Sequence, residues 1–356
     1  MIDPKEFLAG AERIGDPVQL VDRVLRAGLF AHASDVHLDP EADSTRVRFR
    51  IDGALEEVLR IPAAATAGVT SRLKVLAKLD IAERRAPQAG GFMWRLPGAG
   101  AAGATPLDVR MATLPTRHGE RVTLRLLEAG GRRLTLGEIG MEGEELKAFT
   151  EVLKRPHGLV LLTGPTGSGK TTTLYAAIGE LLKGEAKNII TVEDPIEYEV
   201  PGIAQAEVDS SDKVNFAKAL KSLLRHDPDV VMIGEIRDSQ SLDAAVKASL
   251  TGHLVLSTLH TNDAKSSVTR LVDMGLDAKL VPAVLRLAVA QRLVRRTCRE
   301  CGGKGCVNCA GRGYAGRIGI FEVYSPETGL ATSMEADARR KVAAGVTAES
   351  EIARVR

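Results

Sequence analysis

The 356-residue chain has 48 Lys and Arg against 46 Asp and Glu, so its net charge of +2 gives no overall reason to expect nucleic acid as a partner. Its 44% hydrophobic content is enough for packed cores, and its length favours about two domains. The polar start lacks the apolar segment of a signal peptide, and no apolar run approaches the roughly 18 residues of a membrane span. We therefore expect a cytoplasmic globular protein.

The first 130 residues predict a small α+β domain. Asp16 and Pro17 are suited to cap and begin a helix. Residues 46–52 alternate between charged and apolar side chains up to Gly53, which is typical of a half-buried strand. The later patterns predict, in order, a helix over 69–79, a Gly-, Ala- and Pro-rich loop over 86–104, and two strands of a hairpin over 107–111 and 122–126. The domain is expected to end near Gly130.

Residues 164–171 read GPTGSGKT, which is a complete G-x-x-x-x-G-K-T motif. An apolar run at 159–162 precedes it and helical spacing from Leu174 follows, the strand–loop–helix context of a phosphate-binding loop. Its predicted nucleotide-binding residues are Gly164, Pro165, Thr166, Gly167, Ser168, Gly169, Lys170 and Thr171. Backbone N–H groups and Lys170 would bind phosphate, and Thr171 would bind Mg²⁺. The alternative is a glycine-rich loop that binds nothing.

Three further apolar runs end in Glu193, Glu235 and His260. In a parallel sheet the carboxyl ends of strands lie along one edge, so these groups are expected to converge on the nucleotide. Glu235 is interpreted as the residue that binds Mg²⁺ or orients water, and Glu193 competes with it for the role of general base. Either could instead be a solvated carboxylate. His253 and His260 flank the last run. Each is interpreted either as a structural histidine or as a residue that senses the bound phosphate.

All four cysteines lie in two tandem C-x-x-C-x-G-x-G repeats: Cys298, Cys301, Cys306 and Cys309. Paired C-x-x-C motifs in a cytosolic chain indicate a metal site, and four thiolates predict a structural Zn²⁺ with no position open for water. The alternatives are free thiols or two half-sites completed by another subunit.

Several segments together carry a family resemblance: ASDVHLDP, VRFRIDG, TVEDPIE, LLRHDPDVVMIGEIRD, ASLTGHLVLSTLHTNDA, AQRLVRR and GYAGRIGIFEV. In order and in sequence they resemble the ATPases that assemble type II secretion pseudopili and type IV pili. This resemblance implies an α/β fold, with a PAS-like α+β domain over 1–130 and a RecA-like P-loop ATPase domain over 131–356 that includes the zinc module, 298–313. It also implies a homo-hexamer, peripheral at the inner membrane, that uses ATP and Mg²⁺ to move platform proteins. None of the 356 residues resembles the additional N-terminal domain through which assembly motors dock.

By the same resemblance, Lys170 and Thr171 are Walker A residues, Glu235 is the Walker B residue, Glu193 belongs to an acidic box, and His253 and His260 belong to a histidine box. The cysteines favour an assembly motor over a retraction motor, and the segment RLVDMG favours secretion over pilus extension.

Arg110, Arg121 and Arg125 match family arginines and share one polar face of the predicted hairpin. Asp108 could balance only part of their charge, which predicts that a triphosphate bound by a neighbouring subunit or by the chain's own motor domain contacts at least one of them. The alternative is a solvated basic face.

Two rival functions stay open. A basic run over 292–299 would suit a nucleic-acid translocase or a contact with anionic lipid, although only 3% of residues are aromatic and available for base stacking. A non-hydrolysing adaptor would bind ATP as a structural ligand, against which the intact Lys170, Thr171 and Glu235 argue.

Overall fold

The computed structural model describes residues 2–96, 106–128, 134–184, 186–208 and 216–355. The chain forms two compact units, Met1–Gly131 with Thr297–Gly316, and Arg132–Arg296 with Arg317–Arg356. The predicted domain end near Gly130 lies outside the described residues. The cysteine segment groups with the N-terminal unit, whereas the sequence placed it with the ATPase domain.

The N-terminal unit contains an antiparallel sheet of six strands in the order β3-β2-β1-β6-β5-β4. The strands are β1 Ala33–Pro40, β2 Ser44–Ile51, β3 Ala54–Pro62, β4 Gln88–Trp94, β5 Leu107–Thr116 and β6 Gly119–Glu128, and the helices are α1 Pro4–Phe7, α2 Pro17–Phe30 and α3 Ala63–Leu76. Helix α2 begins as predicted, because the Asp16 side chain accepts a hydrogen bond from the Val18 N–H at 2.9 Å. Its apolar face is buried in the same core as one face of the sheet.

Strand β4 lies where the sequence predicted a loop, and that prediction was wrong for Gln88–Trp94. The glycines that suggested a loop serve close packing instead. A Cβ on Gly90 would lie 2.8 Å from the Ala77 carbonyl oxygen, and one on Gly91 would lie 3.1 Å from that of Val109. Residues 97–104 of the predicted loop lie outside the described residues.

The second unit is built on a seven-stranded sheet in the order β13-β12-β7-β11-β10-β8-β9. All of these strands except β13 pair in parallel with their neighbours in this order, from β12 to β9. Its strands are β7 Gly158–Thr163, β8 Ile189–Glu193, β9 Ala204–Glu207, β10 Val230–Ile233, β11 Leu254–Leu259, β12 Leu285–Thr297 and β13 Tyr314–Tyr324. Its helices are α4 Gly143–Leu153, α5 Lys170–Leu181, α6 Phe216–Leu223, α7 Ser239–Leu250, α8 Ser266–Asp273, α9 Val281–Val284, α10 Met334–Ala343 and α11 Glu349–Val355.

Helices cover this sheet on both faces, so its central strands are almost wholly apolar and buried. One core cluster includes α4 and α5, and another includes α6 and α7. The carboxyl ends of β7, β8, β10 and β11 share one edge of the sheet. The α/β class with a smaller α+β domain is therefore confirmed. In the part of the chain that the structure describes, no helix has the length and apolar character needed to cross a bilayer.

Candidate functional site

The GPTGSGKT segment forms a tight loop between β7 and α5. Three of its glycines have positive φ: Gly164 at 145°, Gly167 at 79° and Gly169 at 90°. At two of these positions there is also no room for a side chain. A Cβ on Gly164 would lie 2.5 Å from the Gln291 carbonyl oxygen, and one on Gly169 would lie 2.7 Å from Gln291 Nε2. Helix α5 starts at Lys170, so the first-turn N–H groups of a helix lie directly after the loop.

Two side chains of this loop fit a bound phosphate group. Ser168 Oγ is buried and has no hydrogen-bond partner within the described part of the chain, which suits an added acceptor. Lys170 is 9% exposed, and its Nζ donates to the carbonyls of Gly164 and Pro165 at 2.7 and 3.1 Å. Burial lowers the pKa of Lys170 despite the nearby Glu235 carboxylate, and a polyphosphate would stabilise its charged form. Thr171 lies in the first turn of α5.

Glu235 follows β10 and contacts two basic side chains at the sheet edge. His260 Nε2 lies 3.2 Å from its Oε1, and Arg237 Nε donates to its Oε2 at 2.8 Å. Arg237 also reaches Asp194 at 3.2 Å. The structure thus brings together the ends of β8, β10 and β11, as the strand pattern predicted. The Glu235 side chain is 24% exposed, so solvent reaches it.

Glu193 has a different environment. It is 2% exposed and accepts hydrogen bonds from Tyr175 Oη, from Thr191 Oγ1 at 2.6 Å and from Gln205 Nε2 at 3.0 Å. Burial and the hydrogen bond to Glu193 raise the pKa of Tyr175 above its ordinary value, so the phenol is the proton donor in this pair. Glu193 is therefore a buried acceptor that joins β8 to α5.

The two histidines lie at opposite ends of β11. His253 precedes the strand, and its Nδ1 lies 3.0 Å from the Ala248 carbonyl oxygen at the end of α7. His260 follows the strand and faces Glu235. Only His260 joins the group at the carboxyl edge.

The four cysteines form a cluster whose sulfur atoms all lie within 4.8 Å of one another. The Cys298–Cys306, Cys301–Cys309 and Cys306–Cys309 Sγ distances are each 3.8 Å. A tetrahedron with metal–sulfur bonds of about 2.3 Å has edges of about 3.8 Å, so the cluster fits a Cys₄ metal site. Burial alone would raise the pKa of the Cys309 thiol, but N–H groups of Cys306 and Gly313 lower it, which favours the thiolate.

The cysteine segment is attached to the β2–β3 hairpin of its own unit. Arg312 Nε donates to Glu56 at 2.9 Å, and the Gly316 N–H donates to Asp52 at 2.9 Å. These contacts explain why Thr297–Gly316 belongs to the N-terminal unit.

The three arginines of the β5–β6 hairpin each have a carboxylate partner. Arg110 pairs with Asp108 at 3.1 Å, Arg121 with Asp39 at 2.9 Å and Arg125 with Asp35 at 3.3 Å. Asp108 offsets only part of their charge, and the two further carboxylates come from β1, which lies beside β6 and was not foreseen from the sequence. The side chains of Arg110 and Arg125 are still 53% and 63% exposed.

Two arginines of the basic run over 292–299 contact groups within the second unit. Arg292 donates to the Asn262 carbonyl at 2.7 Å, close to the phosphate loop. Arg295 donates from its backbone and its guanidinium to the buried Glu351. These two arginines serve internal contacts of the second unit.

Sequence reasoning missed the polar residues that anchor α5. Gln291 is 1% exposed and accepts a hydrogen bond from Thr173 at 2.8 Å, and Tyr175 and Gln205 surround Glu193. The one available signal was a glutamine directly after the apolar run over 287–290 in β12.

The family model described as Type II/IV secretion system protein matches residues 12–354. The chain belongs to this family. It is 44% identical over 371 residues to the type II secretion system protein HxcR of Pseudomonas aeruginosa, covering 96% of this chain and 78% of that relative. It is 44% identical over 334 residues to the type IV pilus assembly ATPase PilB of Myxococcus xanthus, covering 86% and 58%.

A crystal structure of the pilus retraction motor PilT with bound ADP is similar in fold, with a TM-score of 0.59 and 28% identity, covering 91% of this chain and 87% of that one. The family resemblance read from the sequence is thereby confirmed, as is the P-loop ATPase architecture.

Proposed function

We propose that this protein is a Mg²⁺-dependent ATPase that works as a homo-hexamer to power pseudopilus assembly in type II secretion. The observation that carries the proposal is the convergence of the phosphate loop with Glu235 and His260 at one edge of the parallel sheet. The names of the relatives, which include secretion proteins and a pilus assembly ATPase, support the same class of activity.

The phosphate loop supplies the nucleotide site in this proposal. Its backbone N–H groups, Ser168 and Lys170 would bind the phosphates of ATP, and Thr171 would be a ligand of Mg²⁺. When bound, Mg²⁺ would neutralise charge on the transferred phosphoryl group. The chain's own contribution is to fix these groups at the start of α5.

Glu235 is the better candidate for the residue that orients the attacking water. It is partly exposed beside His260, whereas both oxygens of Glu193 already accept hydrogen bonds from buried donors. A general base must reach the proton it takes, and Glu193 is sequestered from a water at the sheet edge. We therefore assign Glu193 a structural role in holding α5 against β8.

The cysteine cluster and the hairpin arginines have supporting roles in this proposal. The cysteine cluster would hold one structural Zn²⁺. Arg110, Arg121 or Arg125 would contact phosphate bound by another subunit or by the chain's own motor domain, for which the exposure of Arg110 and Arg125 is the support. The partners would be inner-membrane platform proteins, with the motor at the cytoplasmic face, and an anionic lipid contact is compatible with that position.

A second candidate is pilus extension, which the 44% identity to a type IV pilus assembly ATPase favours. Both candidates use the same motor chemistry, because fold and site do not fix the cargo. Identification of the inner-membrane protein that co-purifies with the chain would decide between them.

The test of the ATPase proposal separates nucleotide binding from hydrolysis. Lys170→Ala should abolish turnover by weakening phosphate binding, whereas Glu235→Gln should still bind ATP and stop hydrolysis. Nucleotide affinity and single-turnover hydrolysis are measured for both variants and the unaltered protein. Unaltered protein that binds ATP without releasing phosphate would favour the adaptor, and hydrolysis by Glu235→Gln at the original rate would remove Glu235 from the chemistry.

A further inference from the structure

The loop that follows β11, residues 260–265, brings His260 to Glu235, and side chains from three other strands hold this loop. The hydroxyl of Thr163, at the end of β7, accepts a hydrogen bond from the Thr261 N–H at 2.8 Å. Arg292 on β12 donates to the Asn262 carbonyl at 2.7 Å. Glu322 on β13 accepts from the Ala264 N–H at 2.7 Å. The proposed chemistry uses neither Arg292 nor Glu322.

Arg292 also lies beside the phosphate loop. A Cβ on Gly164 would lie 3.2 Å from its Nη1, so the guanidinium packs against the first residue of the loop. Burial lowers the pKa of Arg292, while the nearby Glu322 and Asp263 carboxylates favour its charged form. One guanidinium therefore contacts both the phosphate loop and the 260–265 loop.

Glu322 extends this connection to the C-terminal part of the second unit. Its Oε1 accepts a hydrogen bond from the Ala264 N–H. Its Oε2 lies 3.5 Å from the backbone nitrogen of Met334, the first residue of α10. The negative charge of Glu322 is also suited to the first turn of a helix. A single side chain thus joins the His260 loop to α10.

We propose that Glu322, assisted by Arg292, is a positioning residue for ATP turnover that holds the 260–265 loop so that His260 stays against Glu235. This inference rests on the proposed function. Glu322 touches neither nucleotide nor water in this proposal, and acts only through His260. A displacement of about 1 Å in a catalytic group can cost on the order of 10²-fold in rate.

The test compares Glu322→Ala, which removes the acceptor for the Ala264 N–H, with Glu322→Gln, which keeps an acceptor oxygen. We expect kcat of the alanine variant to fall by about tenfold or more while KM for ATP changes by less than about twofold. The glutamine variant should stay within about threefold of the unaltered protein. A matched control is Glu327→Ala, since Glu327 pairs only with Arg155 and Arg286 among the ion pairs described, at 2.6 and 3.3 Å, and it should leave turnover unchanged.

A double-mutant cycle separates positioning from general destabilisation. Because Glu322 acts through His260, the double variant with His260→Ala should be no slower than His260→Ala alone. Independent, multiplying losses would overturn the proposal, and so would a glutamine variant as slow as the alanine variant.

Amide hydrogen exchange provides a readout that does not depend on hydrolysis. The Ala264 N–H should exchange faster in Glu322→Ala than in Glu322→Gln or the unaltered protein, with equal melting temperatures showing that the unit stays folded. Unchanged exchange at Ala264 would overturn the positioning role even if the protein is an active ATPase. Faster exchange in a protein that hydrolyses no ATP would instead reject the proposed function and keep the structural link.

Discussion

Replacing Glu193 with alanine should lower the melting temperature of the second unit by several degrees and have little effect on the rate of ATP hydrolysis. The change removes the shared acceptor of two buried donors, on Tyr175 and Thr191, and of Gln205, which is partly exposed and also donates to the Tyr198 carbonyl at 3.2 Å. A buried donor left without an acceptor costs about 1 kcal/mol or more, so the two buried donors together cost about 2 kcal/mol. For a unit of this size, 1 kcal/mol lowers the melting temperature by roughly 2–4 °C, and the expected fall is therefore about 4–8 °C.

The matched variant is Glu235→Ala, which removes a carboxylate from the same sheet edge. Its partners Arg237 and His260 are 60% and 47% exposed, and exposed pairs contribute about 0.5 kcal/mol each, or about 1 kcal/mol together. Its melting temperature should fall by less than about 4 °C, whereas single-turnover hydrolysis should fall by about 10²-fold or more. Calorimetry would give the melting temperature of each variant, and rapid-quench measurements would give its rate of hydrolysis.

The opposite result would refute this assignment. If Glu193→Ala keeps its melting temperature and loses hydrolysis, Glu193 acts in the chemistry and its buried hydrogen bonds contribute little stability. Tyr175→Phe gives an independent check, since it removes one donor and leaves the Glu193 carboxylate. It should lower the melting temperature by a few degrees and preserve turnover.

Two other predictions concern the N-terminal unit. Protein purified without chelator should contain about one zinc per chain, and chelation should speed amide exchange in 297–316 while nucleotide affinity persists; absence of zinc with four titratable thiols would contradict the metal site. Mixing Lys170→Ala subunits with Arg125→Ala subunits should restore some hydrolysis, because a mixed ring can pair an intact phosphate loop with an intact arginine at one boundary. No recovery at any ratio, with mixed assembly verified, would exclude action across the boundary.

The sequence predicted best those features whose chemistry depends on neighbouring residues. The phosphate loop needs a fixed order of glycines, lysine and threonine within eight positions, and the loop has the expected place between β7 and α5. The strand ends were also readable, because a buried parallel strand is an apolar run that stops where the sheet edge begins. For this reason Glu193, Glu235 and His260 were all found at one edge.

Features that depend on distant parts of the chain were not predictable in the same way. The partners of Arg121 and Arg125 lie on β1, more than 80 residues earlier, and a single sequence does not reveal that β1 pairs with β6. Strand β4 was hidden because glycines that allow close packing have the same composition as a loop. The attachment of the cysteine segment through Glu56 and Arg312 likewise joins residues from opposite ends of the chain.

The arrangement around α5 gives Glu193 and the buried Gln291 a common role in a largely apolar sheet. Strands β12 and β8 lie on opposite sides of β7 in the sheet. Gln291 on β12 binds Thr173, and Glu193 on β8 binds Tyr175, two residues farther along the same helix. Helix α5 is thus fixed from both flanks within two turns of Lys170. Because the phosphate loop depends on the position of the helix that begins at Lys170, these buried polar contacts fix the helix on which the phosphate site is built. Glu193 is committed to those contacts, whereas solvent reaches the Glu235 carboxylate.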